Sequence, residues 1–289
     1  MLPTDPWPET VARARHLEAS GYDHLWTYDH LSWRRYRERP WFGAIPWLTG
    51  IAAATDRIRL GPLVSSPNFR HPVTLAKDAM TLDHVSGGRL ILGVGAGGLG
   101  FDSTVLGNEP LTPARLASRL DEFVEVLDRL LREPAVSHTG EHYTVHEARM
   151  IPGCVQQPRV PLAIAAGGAK TLRTVARSGD AWVTYGPADP DATAVEIERT
   201  LRLQSEALER ACAAIGRDAA GIDRIYLMDT RGETAMASGD AFADFASRQA
   251  ALGVTDLVVH HPRAGDPVWD YPPEIIDEIA ALLPTLHAV

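Results

Sequence analysis

The feature that most constrains the fold of this chain is alternation. From residue 10 onward, segments with a helical period trade places with short, almost continuously apolar runs. Helical patterns over residues 10–20, 45–55 and 73–85 alternate with the strand-like runs "DHLWTY" (23–28), "IRLGPLV" (58–64) and "RLILGVGA" (89–96). A long amphipathic helix over 113–132 carries Leu116, Leu120, Phe123, Val124, Leu127 and Leu131 on one face. The runs "PLAIAA" (161–166), "AWVTYG" (181–186), "IDRIYLMD" (222–229) and "DLVVHHP" (256–262) then interleave with helices at 171–178, 191–215, 241–252 and from 273 onward.

Apolar strands that are each followed by a helix require a parallel sheet covered on both faces. An open doubly wound sheet and a closed eight-stranded barrel both satisfy this. The expected fold is α/β, a (β/α)8 barrel forming a single domain over residues 1–289. Its first strand is expected to be truncated or very short, because only "MLPT" is available before the first helix. Residues 133–160 break the rhythm, and "HTGEHYTVHEARMIPG" reads as a hairpin-like insertion.

Charge and targeting signals narrow the function classes. A formal net charge of −9 with scattered basic residues gives no electrostatic footprint for nucleic acid. No apolar stretch approaches a membrane span, and "MLPTDPWPET" lacks the layout of a signal peptide. The two cysteines, Cys154 and Cys212, stand far apart in no metal or redox motif. A reducing compartment fits them best, so the expected location is the cytoplasm.

The stretch "LILGVGAGGLG" (90–100) raises the question of a ligand, because Gly95, Gly97 and Gly100 spell G-x-G-x-x-G. A dinucleotide fingerprint needs its last glycine to open a helix at once. Here "FDSTVLGNEPLTPAR" follows, with no helix expected before about residue 112. The acids at the right distance, Asp121 and Glu122, fall in the middle of a helix rather than at a strand end. The remaining reading is a glycine-rich strand end at the carboxyl face of a barrel, where backbone can approach a flat ligand.

"TLDHVSGGRLILGVGAGG" (81–98) resembles the motif of the luciferase-like (LLM class) flavin- and deazaflavin-dependent oxidoreductases. "GYDHLWTYDHL" (21–31), "RIRLGPLVSSPNFRHP" (57–72) and "PLAIAAGGAKTLRTVARSGDAWVTYG" (161–186) extend the resemblance, in order, over most of residues 10–190. It implies a barrel enzyme that binds coenzyme F420 or FMN, acts on a small organic molecule and forms a homodimer. Asp29 and His30 are implied to meet the coenzyme ring, His30 serving the charge that develops on reduction. Leu63 and Val64 are implied to back the ring, in relatives often through a non-prolyl cis peptide. Ser65 and Ser66 would offer hydroxyls to the ring edge, whereas Arg70 and His71 would shape the loop.

Gly95, Ala96, Gly97 and Gly98 are implied to lie against the coenzyme. The sugar-phosphate dehydrogenase branch carries a glutamate where this chain has Gly98, which puts that particular dehydrogenation in doubt. Ala166, Gly167 and Gly168 end a strand and open a helix at about Ala169, an arrangement suited to a phosphate. Thr184 is a further donor there. Trp33 resembles an aromatic on the substrate side of some relatives, and Trp47, in a cluster with Trp41 and Phe42, is assigned with it.

His138, His142 and His146 are spaced for zinc only on a helix, and Gly140 argues instead for extended chain with His142 and His146 on one face. No metal is expected. His260 and His261 close the last strand, one in the core and one at the rim. The resulting expectation is an F420-dependent oxidoreductase transferring hydride between the deazaflavin and a small organic substrate. An FMN-dependent monooxygenase or reductase is the alternative. A non-catalytic flavin-binding relative and an acid-dependent barrel hydrolase, whose strand-end acids would be Asp29 and Asp229, stand behind it.

Overall fold

Capping chemistry sets the helix boundaries. After α1 (Trp7–Ala19) and α2 (Ala44–Ala54), α3 (Pro72–Ser86) opens with proline in its first turn and stops at Gly87, whose φ of 64° is left-handed. α4 (Pro113–Arg132) is capped by the Thr112 hydroxyl, which accepts from the Arg115 amide. α5 (Ala169–Ser178) starts directly behind two glycines, and α6 (Ala194–Ala213) is opened by a capping box of Thr193 and Glu196. α7 (Gly239–Ala251) takes its cap from Ser238, and α8 (Ile275–Leu286) closes the series.

The computed structural model describes residues 1–33, 36–228, 230–266 and 268–287. The chain divides into two compact units, and Asp229 lies outside the described residues. Unit one comprises residues 1–18, 23–165 and 178–180. It holds β1 (His24–Thr27), β2 (Arg59–Pro62), β3 (Leu92–Val94) and β6 (Leu162–Ala165), with β1–β2 and β3–β6 paired in parallel. Parallel bridges from Leu60 to Leu90 and from Ser65 to Val94 join the β2 segment to the β3 segment. Its core is aliphatic, with Leu48, Ile51, Leu60, Leu75, Leu92, Leu120 and Leu127 fully buried. Arg159, itself buried, is neutralised by Asp128 and Asp180 and donates to the carbonyls of Val160 and Ser178.

Unit two comprises residues 19–22, 166–177 and 181–289. It holds β7 (Ala181–Thr184), β8 (Asp223–Leu227) and β9 (Asp256–Val258), parallel throughout. Ile197 and Leu201 of α6 pack with Tyr226 of β8, and Phe245, Leu252 and Leu257 close over them. No helix of the described residues is long and apolar enough to cross a membrane.

Residues 1–6 form no strand. The Met1 amine donates to the Trp26 carbonyl at 2.7 Å and the Phe42 amide to the Pro3 carbonyl at 2.8 Å, so this segment lies along β1 as coil. The insertion is an antiparallel hairpin of β4 (Ala135–Thr139) and β5 (Thr144–Arg149), with a bulge between Val136 and His138. The three histidines distribute differently from the extended-chain expectation. His142 belongs to the turn and has a buried side chain, whereas His146 is exposed on β5. They share no face, because the tight turn interrupts the strand alternation. Among the described residues no group of histidines, cysteines and acids could hold a metal ion.

The hairpin is fastened to α4 by Glu122, whose carboxylate accepts from the His142 and Tyr143 amides, both at 2.8 Å, and from His138 at 3.1 Å. Burial alone would raise the Glu122 pKa, but these donors outweigh it and hold the carboxyl below its ordinary range. Its contribution to stability is therefore complete above the unfolded pKa of 4.5 and disappears as pH falls through the lowered folded value. Glu122→Gln should make the melting temperature, followed by circular dichroism, fall less steeply between about pH 5 and pH 3. Parallel declines in variant and parent would remove Glu122 from the acid response.

Candidate active site

The carboxyl ends of β1, β2 and β3 bring the first group of site residues together within unit one. Asp29, just beyond β1, is 1% exposed. Arg70 grips it bidentately, Nε to Oδ2 at 2.9 Å and Nη2 to Oδ1 at 2.7 Å, and the Ser65 hydroxyl donates to Oδ2. Burial would lower the Arg70 pKa, but the hydrogen bonds and charge of Asp29 raise it above its ordinary value. The loop arginine is thus the clamp on the strand-end acid. Asp29 and Ser65 spend their polar atoms inside the chain.

His30 has a different setting. Its side chain is 31% exposed, and its Nδ1 meets Oδ2 of Asp102, whose other oxygen accepts the Leu31 amide at 2.9 Å. A carboxylate only accepts, so the shared proton belongs to Nδ1 and the neutral ring keeps its lone pair on Nε2. The Trp41 indole donates to the His30 carbonyl at 2.8 Å. Trp33 stacks on His30 and on Tyr36, and Tyr28 lies 4.8 Å from it, so an aromatic wall fixes the imidazole plane. Trp47 is not part of this wall; it is packed in the buried face of α2.

The glycines of the β3 end divide into two kinds. A Cβ at Gly93 would sit 2.0 Å from the Pro62 carbonyl oxygen, and one at Gly95 would sit 2.7 Å from Val64 Cγ2. These two glycines are demanded by the neighbouring β2 segment, where the Leu63–Val64 peptide is cis. Gly97 is left-handed at φ 75° and tight against Asn68, whereas a side chain at Gly98 would enter open space. Asn68 donates to the Gly98 carbonyl at 3.0 Å. Ala96 and Gly97 are half-buried and Gly98 is exposed, which leaves bare backbone at the strand end.

Unit two, taken by itself, holds the other residues singled out in the sequence. Ala166 is tied to β7 through its amide, bonded to the Val183 carbonyl at 3.1 Å, and through its carbonyl, which accepts the Trp182 indole at 2.8 Å. Gly167, Gly168 and Ala169 follow, all exposed, at the N-terminus of α5. The first amides of a helix lack intrahelical acceptors and carry partial positive charge. No acid sits in the first turn of α5, and Lys170 does, where a cation is disfavoured unless an anion accompanies it. Thr184 is not free to donate here, since its hydroxyl goes to Gln204 Oε1 at 2.8 Å; Gln204 Nε2 in turn reaches the Gly167 carbonyl at 3.3 Å. His260 stacks face to face on Trp269, and burial pushes its pKa down to about 3.

Sequence reasoning missed Asp102, Asn68 and Gln204 and gave Arg70 a lesser part. Asp102 lies in a single three-residue 3-10 turn (Phe101–Ser103) directly after Gly100, within a stretch expected to be irregular. An acid two residues after the last glycine of the run, Gly100-Phe101-Asp102, was the available signal.

The profile of the family described as "Luciferase-like monooxygenase" matches residues 1–243. The chain belongs to this luciferase-like family. An uncharacterised protein of Mycobacterium tuberculosis is 32% identical over 242 residues, 82% of this chain and 76% of that protein. The F420-dependent glucose-6-phosphate dehydrogenase of Kineococcus radiotolerans is 34% identical over 212 residues, covering 73% of this chain and 60% of the relative. Among solved structures, the coenzyme F420-dependent tetrahydromethanopterin reductase of Methanopyrus kandleri matches with a TM-score of 0.75 at 19% identity, over 99% of this chain and 97% of that one. That likeness gives the luciferase-like chain its fold, the (β/α)8 barrel.

Proposed function

We propose that this luciferase-like protein is an F420-dependent oxidoreductase acting on a small organic molecule. The observation that carries the reading is His30, pinned by Asp102 and stacked on Trp33 beyond the carboxyl end of β1, in the unit whose β3 ends in bare glycine backbone. The F420-dependent dehydrogenase among its relatives supports the choice of coenzyme. The residues of unit one suit a deazaflavin, whose ring Gly97 and Gly98 would receive; in unit two, taken by itself, Gly167, Gly168 and Ala169 suit a phosphate. A Cβ at Gly98 or Gly168 would fill space that no other described residue fills within 4 Å.

When bound, the deazaflavin supplies or accepts hydride. The chain's own residues do the rest. Asp102 fixes the tautomer of His30, so that Nε2 is the nitrogen left to give or take a proton. The aromatic wall of Trp33, Tyr28 and Tyr36 keeps that imidazole from turning and keeps water from its face. Asp29, clamped by Arg70, anchors the strand end on which His30 is carried. Gly98 offers no acid, so a substrate other than the sugar phosphate of the dehydrogenase branch is proposed. A homodimer in the cytoplasm belongs to the same proposal.

Titration of the purified protein with F420 and, separately, with FMN tests the reading by fluorescence quenching. Tight binding of F420 with weak FMN binding is the expected result. A preference for FMN would replace hydride transfer by flavin chemistry with oxygen, the alternative that the family description favours. Binding of neither would overturn the proposal.

A further inference from the structure

Three arginines of unit one that are buried or half-buried, Arg70, Arg89 and Arg159, have their donors provided for. Arg70 is paired with Asp29, and Arg159 with Asp128 and Asp180. Arg89 has no carboxylate but spends its donors on the Ser86, Ile58, Ala52 and Thr55 carbonyls and the Thr55 hydroxyl. Arg119, half-buried on α4, is provided for only in part. Among the described residues it has no acidic partner; Nη2 donates to Asn68 Oδ1, and Nε is buried with no acceptor.

A second orphan stands beside it. Tyr143, in the hairpin turn, is 8% exposed, and its buried hydroxyl has no partner among the described residues. Its ring is held edge-on by His71 and Phe123 at 5.5 and 5.8 Å. Both groups lie between the same two segments: Arg119 sits one turn before Glu122 and Phe123 on α4, which meet the Tyr143 amide and ring, and Asn68 and His71 of one loop meet Arg119 and Tyr143 respectively. Burial raises the phenol pKa, and the charge of Arg119 opposes that rise. The acids nearby are already engaged: Glu122 accepts from His138 and two amides, and Glu141 pairs with Arg115 at 3.3 Å. A half-buried guanidinium without counter-charge and a phenol without acceptor both cost stability.

We propose that Arg119 and Tyr143 form an oxyanion site for a carboxylate or phosphate group. Asn68 joins Arg119 to the Gly98 carbonyl, so the anion would lie one side chain away from the glycine backbone. The planar guanidinium fork suits such an oxyanion, and the phenol adds a directed donor. The site itself is read from unit one alone. Only the source of the anion, the acidic tail of the deazaflavin or a carboxylate on the substrate, rests on the proposed function.

Inorganic phosphate, added at constant ionic strength against chloride, is the first probe. It should raise the melting temperature of the parent protein with a saturable dependence. Arg119→Gln and Tyr143→Phe should each weaken the apparent affinity roughly tenfold or more. Arg119→Gln should be no less stable than the parent in phosphate-free buffer. The second arm compares F420 with the same deazaflavin lacking its phosphate-linked tail. If Arg119→Gln weakens binding of F420 alone, the anion is the tail. If both bind as before but KM rises for a keto acid and not for its ester, the anion is the substrate's. A phosphate response equal to that of chloride, or unchanged in Arg119→Gln, overturns the site when F420 affinity and keto-acid KM are also unaltered. Failure to bind F420 would remove the coenzyme reading and leave the phosphate arm standing.

Discussion

Replacing His30 by alanine should lower kcat by about 10²–10⁴-fold, the range that a positioned acid or base supplies. Affinity for F420 should change far less, because the glycine backbone and the α5 N-terminus are untouched. Asp102→Asn should fall between parent and His30→Ala, since it leaves the imidazole present but releases its tautomer. The double variant should be no worse than His30→Ala alone, as expected for residues that act as a unit. A merely structural Asp102 would not alter the ring. Nitrogen-15 shifts of His30 therefore separate the two roles: protonation at Nδ1 in the parent, a mixture of tautomers in Asp102→Asn. Full activity in His30→Ala would sink the assignment.

The second large effect concerns stability. Asp29→Ala would leave the Arg70 guanidinium without the carboxylate that neutralises it, and such a loss costs about 3–5 kcal/mol. Urea denaturation reads the difference. The companion variant Asp29→Ala/Arg70→Met should recover a large part of it, because no unpaired charge then remains. If the double variant is as unstable as the single, the cost lies in packing around Asp29 and the ion pair is incidental.

The parts of the fold that were legible rest on short-range physics. The leucine face of α4 obeys one helical period, and Thr112, Pro72 and Gly87 mark helix ends through local backbone chemistry. The α5 start behind Gly167-Gly168 could be read for the same reason. Within the candidate site, Asp29 and His30 could be singled out because one segment carries both. What joins the segments is set by tertiary packing and leaves no periodic trace. Asp102 meets His30 across 72 positions of chain, and Gln204 meets Thr184 from a helix whose apolar pattern says nothing about its polar members. Arg70 looked like loop chemistry because its partner lies 41 positions away. The histidine spacing misled in the opposite direction, since a tight turn placed His142 outside either strand.

The divided glycines at the β3 end carry a consequence for how such a protein diversifies. Gly93 and Gly95 are frozen by the carbonyl and methyl group that press on them, so they record the architecture of the strands and nothing of the reactant. Gly98, three residues further on, is pressed by nothing. A lineage can therefore try acids, amides or aromatics at that one address without disturbing the frame. Changes of substrate can then proceed by single steps, each tested for chemistry before it is tested for folding.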